Sequence, residues 1–285
     1  MKRTPLSCLL AIVLLLLSCE NEDKPVSDDP ALIVEKRATP VLARSDGLYS
    51  DPSVIRIGDT LFMWLSDYAL ATDVITFSPF KSADGLNWQP VRLDAFAGSA
   101  TGWDKLIETP EVIRIGDQFH LYYIGYPESD FDDGIYDAEV GLATAAIGES
   151  FTRYQPAPVL PRGGTWDEDA ITSPGVVAHE GKYYMIYTGW TDILEATGFL
   201  GLTGAVSDDG INWVKAEEAI FTKVRETPFE TATESDVTKG PDGMFYLFFS
   251  AENGIALARS SAPFGPWEIY PEPIIRSKYE WESGE

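Results

Sequence analysis

Along this chain apolar and polar positions alternate in short runs broken by Gly, Pro and Asp, and a helical period of apolar residues is almost nowhere sustained. The stretch TESDVTKGPDGMFYLFFS at 233 to 250 shows the pattern in full. A short apolar run leads to a Pro-Asp-Gly turn, and Phe245, Leu247 and Phe249 then interleave with Tyr246 and Phe248, which predicts a β-hairpin with Glu234 just ahead of it. The same unit starts at Asp51 (DPSVIRIGDTLFMWLSDY), Thr109 (TPEVIRIGDQFHLYYIGY) and Ser173 (SPGVVAHEGKYYMIYTGW). Four copies thus recur about sixty residues apart. Each continues into a third strand, such as EVGLATAAIG or NGIALARSSA, and a fourth, such as FTRYQPAPVL or WEIYPEPII. In two copies the connection is SADGLNW or SDDGINW, where Asp-Gly makes the turn and Trp88 or Trp213 opens the last strand.

Four antiparallel strands per repeat predict an all-β chain of propeller blades. A sandwich would not repeat in this way, the period is too long for a WD40 blade, and the turns lack the spacing of sialidase Asp boxes. The segment ATPVLAR at 38 to 44 reads as an outermost strand with no blade before it. It predicts that the N-terminal end closes a last blade whose inner strands lie at the C-terminal end. Trp103 and Trp166 lie shortly before Pro110 and Pro174, so Trp281 calls for a further inner strand beyond Glu285. The expectation is a five-bladed β-propeller over 36 to 285 whose fifth blade is truncated at the C-terminus. A complete four-bladed ring with a tail is the alternative.

With 285 residues, 45% of them hydrophobic and 12% aromatic, the chain can bury a large core. Its 45 acidic against 21 basic residues give a net charge of −24, which disfavours nucleic acid and anionic lipid surfaces and favours a neutral ligand. Neither a Walker A loop nor a dinucleotide-binding GxGxxG is present. The first nineteen residues, MKRTPLSCLLAIVLLLLSC, pair Lys2 and Arg3 with a short apolar stretch ending in Cys19. They resemble a bacterial lipoprotein signal, which implies lipidation at Cys19 and anchorage to the outer membrane of the cell envelope by that lipid alone. An ordinary secretory peptide or membrane anchor is the alternative. Cys8 falls inside the removed segment, so no internal disulfide is expected. Residues 20 to 35, beginning ENEDKPVSDDP, read as an acidic tether whose charge resembles a surface-export signal.

The starting ends of the innermost strands of a propeller surround its axis, so residues beside the recurrent Pro converge. Before it stand Asp51, Thr109, Ser173 and, by equivalence, Glu234; after it stand Ser53, Glu111, Gly175 and Asp236. Acids at these positions either serve chemistry or simply cap turns and face water. The stretches SDPSVI and ESDVTKGPDGMFYLFFS, the latter with Lys239 and its Asp-Gly turn, resemble the first-blade and fourth-blade patterns of glycoside hydrolase family 43. The resemblance implies a general base at Asp51 and a general acid at Glu234, and hydrolysis of arabinofuranosyl or xylosyl linkages. Inversion needs two carboxyl groups about 6.5–9.5 Å apart, one protonated and one ionised.

Two departures qualify the match. The third-blade stretch DEDAITSPGVV has Ser173 where the family has Asp, and Ser235 and Asp236 replace the Gly-Pro after the acid. A serine lacks the negative charge that helps a neighbouring acid keep its proton, so Asp169 or Glu168 is expected to reach in, or Glu111 and Asp236 to supply the charge. Trp64, Tyr126 and Trp190 are candidate platforms for sugar rings, but bulky aromatics are normal blade filling and core packing is the preferred reading of each. His120 and His179 lack ligand spacing, so no metal site is expected from them. The calcium ion that family members often carry on the axis stays an open question. Two other readings remain. A family 130 phosphorylase would need an Asp and an Arg that ETPE at 108 to 111 lacks, and family 32 motifs are absent. A non-catalytic glycan-binding lipoprotein is the reading that Ser173 favours.

Overall fold

The computed structural model describes residues 36–127, 137–191, 198–221, 227–229, 231–252 and 254–278. The N-terminal stretch read as a lipoprotein signal with Cys19, the acidic stretch read as a tether, and Trp281 lie outside the described residues. Among the described residues every regular element is a strand. The first blade is β1 (Gly47–Ile57), β2 (Thr60–Ala69), β3 (Val74–Ser82) and two stubs, β4 (Gln89–Pro90) and β5 (Phe96–Ala97), which both pair with β3. The second is β6 (Leu106–Ile115), β7 (Gln118–Tyr126), β8 (Glu139–Ala146) and β9 (Thr152–Arg153). The third is β10 (Ala170–His179), β11 (Lys182–Thr191), β12 (Phe199–Ser207) and β13 (Trp213–Lys215). The fourth is β14 (Thr233–Lys239), β15 (Phe245–Ala251), β16 (Gly254–Ser260) and the stubs β17 (Glu268–Ile269) and β18 (Ile275–Arg276), which both pair with β16. All these pairings are antiparallel.

The repeated hairpins therefore form the expected propeller blades. Each junction between consecutive blades is an apolar cluster: Trp64, Phe77 and Leu121 between the first and second, Leu142, Val176 and Met185 between the second and third, and Ile186, Leu202 and Leu247 between the third and fourth. Burial of this kind, at roughly 25 cal/mol per Å² of apolar surface, is what holds sheets face to face. The inner strands pack in the order β1, β6, β10 and β14, and no comparable packing joins β14 back to β1 among the described residues. A single position registers this gap. Val112, Val176 and Val237 hold equivalent positions and are 4%, 4% and 3% exposed, whereas Val54 is 49% exposed on the flank of the first blade that has no neighbour among the described residues. This open sector is where the sequence places a fifth blade.

Two expectations about the outer strands need correction. Residues 38 to 44 make no strand; Leu42 instead packs on Met63, Leu65 and Phe80 beside Tyr49 and Trp88. A strand needs a ladder partner, and the described residues offer none in that sector. The fourth strands are also broken into short pieces rather than continuous. Pro90, Pro156, Pro158, Pro271 and Pro273 interrupt them, and Pro donates no ladder hydrogen bond, which confines it to edges.

The Trp-acid lead-ins have a structural task. Buried Asp104 accepts hydrogen bonds from Ser99, from the Tyr123 hydroxyl at 2.9 Å and from Arg153 Nε at 2.6 Å. Asp167 does the same with Tyr187 at 2.8 Å, Lys215 Nζ at 2.7 Å and the Gly164 N–H at 2.6 Å. Each clasp ties the approach to an inner strand to the second and fourth strands of a blade, fixing where that inner strand begins. The Ser-Asp-Gly turns are built alike. Asp84 accepts from the N–H groups of Leu86 and Asn87, Asp209 from those of Ile211 and Asn212, and these bonds hold both carboxyls far below the ordinary range.

Candidate active site

Every inner strand carries a β-bulge at its start, between Ser50 and Ser53, Glu108 and Glu111, Thr172 and Gly175, and Thr233 and Ser235. Asp51, Thr109, Ser173 and Glu234 sit in these bulges with φ of 49°, 49°, 49° and 47°. Left-handed backbone is costly for a side chain with a Cβ, by about 1–2 kcal/mol per residue, so four repeats of one value mark a shared architectural device. A bulge re-aims the residue it carries out of the alternation of its strand. The sequence equivalence of Glu234 with Asp51, made without a Pro in the fourth copy, thus holds in backbone geometry.

The two acids are exposed. Asp51 accepts a hydrogen bond from Ser50 Oγ at 3.1 Å. Glu234 is held twice: its N–H donates to Thr188 Oγ1 of the third blade at 2.8 Å, and its Oε2 accepts from Ser250 Oγ at 2.9 Å. Neither Thr188 nor Ser250 was singled out in the sequence. A hydroxyl-bearing residue paired with the position just before the bulge was the available signal, since Ser66, Thr188 and Ser250 share that place on the second strands. Glu108, also unassigned, lies one residue before Thr109 and accepts from the Tyr126 hydroxyl at 2.6 Å.

One step along the inner strands lies a second set. Ser53 Oγ accepts from the Val112 N–H and donates to Glu111 Oε2, both at 2.9 Å, and the other oxygen of Glu111 accepts from the Val176 N–H at 3.1 Å. One carboxyl thereby links three blades. Gly175 leaves room for the fourth, because a Cβ there would stand 3.0 Å from Asp236 Cα and 3.1 Å from Ser235 O. Burial, followed by the charge of Asp236, pushes the Glu111 carboxyl well above its ordinary range, against the opposing pull of its two hydrogen bonds. Asp236 keeps contact with solvent, yet the loss of hydration among the surrounding strands raises it as well, opposed by the Val237 N–H.

The remaining candidates separate clearly. Trp64 is 3% exposed and meets Phe119 and Phe151 edge-on at 5.4 Å and 5.5 Å, so it has no face for a sugar ring. Tyr126 is 4% exposed, packed with Ala138 and Ala170. Both are core residues, in line with the preferred reading, because large aromatics fill the spaces between blades. Trp190 is half-buried against the same cluster, its Nε1 donating to Thr172 Oγ1 at 3.3 Å. Ser173 occupies the third bulge without a carboxylate, and Asp169 lies next to Trp190, whose carbonyl accepts its N–H at 2.9 Å. Among the described residues there is no group of three or more His, Cys, Asp or Glu side chains that could hold a metal ion.

Comparison with known proteins agrees with this architecture. The family model "Glycosyl hydrolases family 43" matches residues 39–284. A xylan 1,3-β-xylosidase of Vibrio sp. is 24% identical over 272 residues, covering 82% of this chain and 43% of that protein; the chain spans less than half of the length of this relative. A family 117 glycoside hydrolase of Zobellia galactanivorans superposes with a TM-score of 0.63 at 16% identity, covering 79% of this chain and 70% of the other. A GH43_1 enzyme of Xanthomonas citri complexed with xylotriose gives 0.60 at 16% identity, covering 81% and 74%.

Proposed function

The chain belongs to glycosyl hydrolase family 43, and from that premise we propose that it hydrolyses glycosidic bonds with inversion, Glu234 acting as general acid and Asp51 as general base. One observation carries the reading: two carboxylates occupy the same left-handed bulge position on the first and fourth inner strands. In the proposed step Glu234 gives its proton to the departing oxygen while Asp51 takes one from a water that attacks the anomeric carbon from the opposite face. The substrate class we favour is a terminal xylosyl or arabinofuranosyl unit, on the strength of the similarity to a xylosidase. The charge the family draws from a third-blade Asp is absent at Ser173.

The test is the anomer first released. Proton NMR of a β-xyloside digest is expected to show α-xylose before mutarotation. Release of β-xylose would overturn inversion, and turnover that requires phosphate would select a phosphorylase. Tight sugar binding without release would instead support the glycan-binding reading, which the neutral Ser173 favours.

A further inference from the structure

The residues paired with the position just before each bulge are Ser66, Ile124, Thr188 and Ser250, and they are used differently. Ser66 Oγ is buried without a hydrogen-bond partner in its blade, Ile124 has no hydroxyl, and Thr188 Oγ1 receives the N–H of Glu234 from the neighbouring blade. Ser250 alone among them donates to a bulge carboxylate, Glu234 Oε2 at 2.9 Å. We propose that Ser250 is the positioning residue of the general acid, engaging Oε2 so that Oε1 carries the proton toward the departing oxygen.

This inference rests on the acid role given to Glu234 above, and it follows from the two attachments of that residue. Thr188 fixes its backbone from one side and Ser250 its carboxyl from the other, so the side chain has one oxygen committed and one available. An oxygen that already accepts an O–H is the poorer seat for a proton. As the glycosidic C–O bond breaks, its electron pair stays on the departing oxygen, which takes the proton from Oε1. Glu234 is left as a carboxylate, and the Ser250 hydroxyl stabilises that charge as it forms. Water supplies the oxygen of the new C–O bond, and its proton goes to Asp51. A hydrogen bond to a charged group contributes about 1.5–3 kcal/mol, which corresponds to roughly a 10- to 100-fold rate effect confined to steps that need the proton.

The experiment compares Ser250→Ala with wild type on two leaving groups, phenyl and 2,4-dinitrophenyl, on both β-D-xylosides and α-L-arabinofuranosides. Departure of dinitrophenolate needs no protonation. The variant is expected to lose roughly 10- to 100-fold in kcat/KM on the phenyl substrate and less than about 3-fold on the dinitrophenyl one, with Ser250→Thr restoring the former. Because the ratio of the two substrates is read on one preparation, a smaller folded fraction cancels out. Equal losses on both, or no loss on either, would overturn the role of Ser250. Glu234→Gln separates the two hypotheses: if it too shows no leaving-group split, the acid assignment has failed, and if wild type cleaves neither sugar, the hydrolase reading falls and the role of Ser250 with it.

Discussion

Two rings of residues lie a short step apart on the same four inner strands, and they solve different problems. The ring at Asp51, Thr109, Ser173 and Glu234 stands in left-handed bulges, with both its acids exposed. The ring at Ser53, Glu111, Gly175 and Asp236 interlocks, with Glu111 linking three blades and Gly175 admitting the backbone of the fourth. The first ring accepts local strain to present side chains, and the second supplies the packing and hydrogen bonds that keep the strained residues in place. The proposed chemistry and the cohesion are thus separated by only two residues of sequence.

Filling the second ring should break the comparison most forcefully. In Gly175→Val the new side chain meets backbone atoms of the fourth blade about 3 Å away, and we expect a loss on the order of 3 kcal/mol, or some 6–12 °C in Tm. Activity should fall too, since β14 carries Glu234. Ser173→Ala, in the first ring of the same blade, should stay within about 0.5 kcal/mol of wild type. Differential scanning calorimetry of the two variants reads the contrast; equal Tm values would show that the second ring does not govern cohesion.

A smaller effect sharpens the electrostatic side. Glu111 binds its proton more tightly folded than unfolded, so between the ordinary carboxylate range and its raised value the native state keeps a proton that the unfolded chain has released. The stability this contributes is fully present at low pH and is lost as pH rises through the raised value. Glu111→Gln removes the titration while keeping an amide oxygen for the Val176 N–H. Its Tm relative to wild type should therefore rise by a few degrees between pH 5 and pH 8. A difference that stays constant with pH, or moves the other way, would contradict the assignment.

The blades were legible because their signal is local: alternation, Asp-Gly turns and a repeat of about sixty residues. The equivalence of Asp51, Thr109, Ser173 and Glu234 was legible for the same reason, although nothing in the letters announces left-handed backbone at Glu234, where the flanking Pro is missing. Contacts between blades were not. Thr188 holds Glu234 from 46 residues away, and Glu111 reaches across 65 residues to Val176. Such pairs are set by which faces of neighbouring sheets meet. The choice between platform and core at Trp64 and Tyr126 needed the structure for a related reason, since an aromatic near a strand end is compatible with either a rim or a core, and burial decides for the core. The outer strands failed at their prolines, where composition promised a strand and the missing N–H groups shortened it.

The central claim, that the bulge acids act on a substrate from opposite faces, is tested most directly by replacing one of them with empty space. Asp51→Ala should hydrolyse 2,4-dinitrophenyl β-D-xyloside at least about a hundredfold more slowly than wild type, a typical contribution of a general base. Added azide, a small anion that needs no base, should restore turnover and yield xylosyl azide of inverted, α configuration. Undiminished hydrolysis by the variant, or an azide product of retained configuration, would contradict the account.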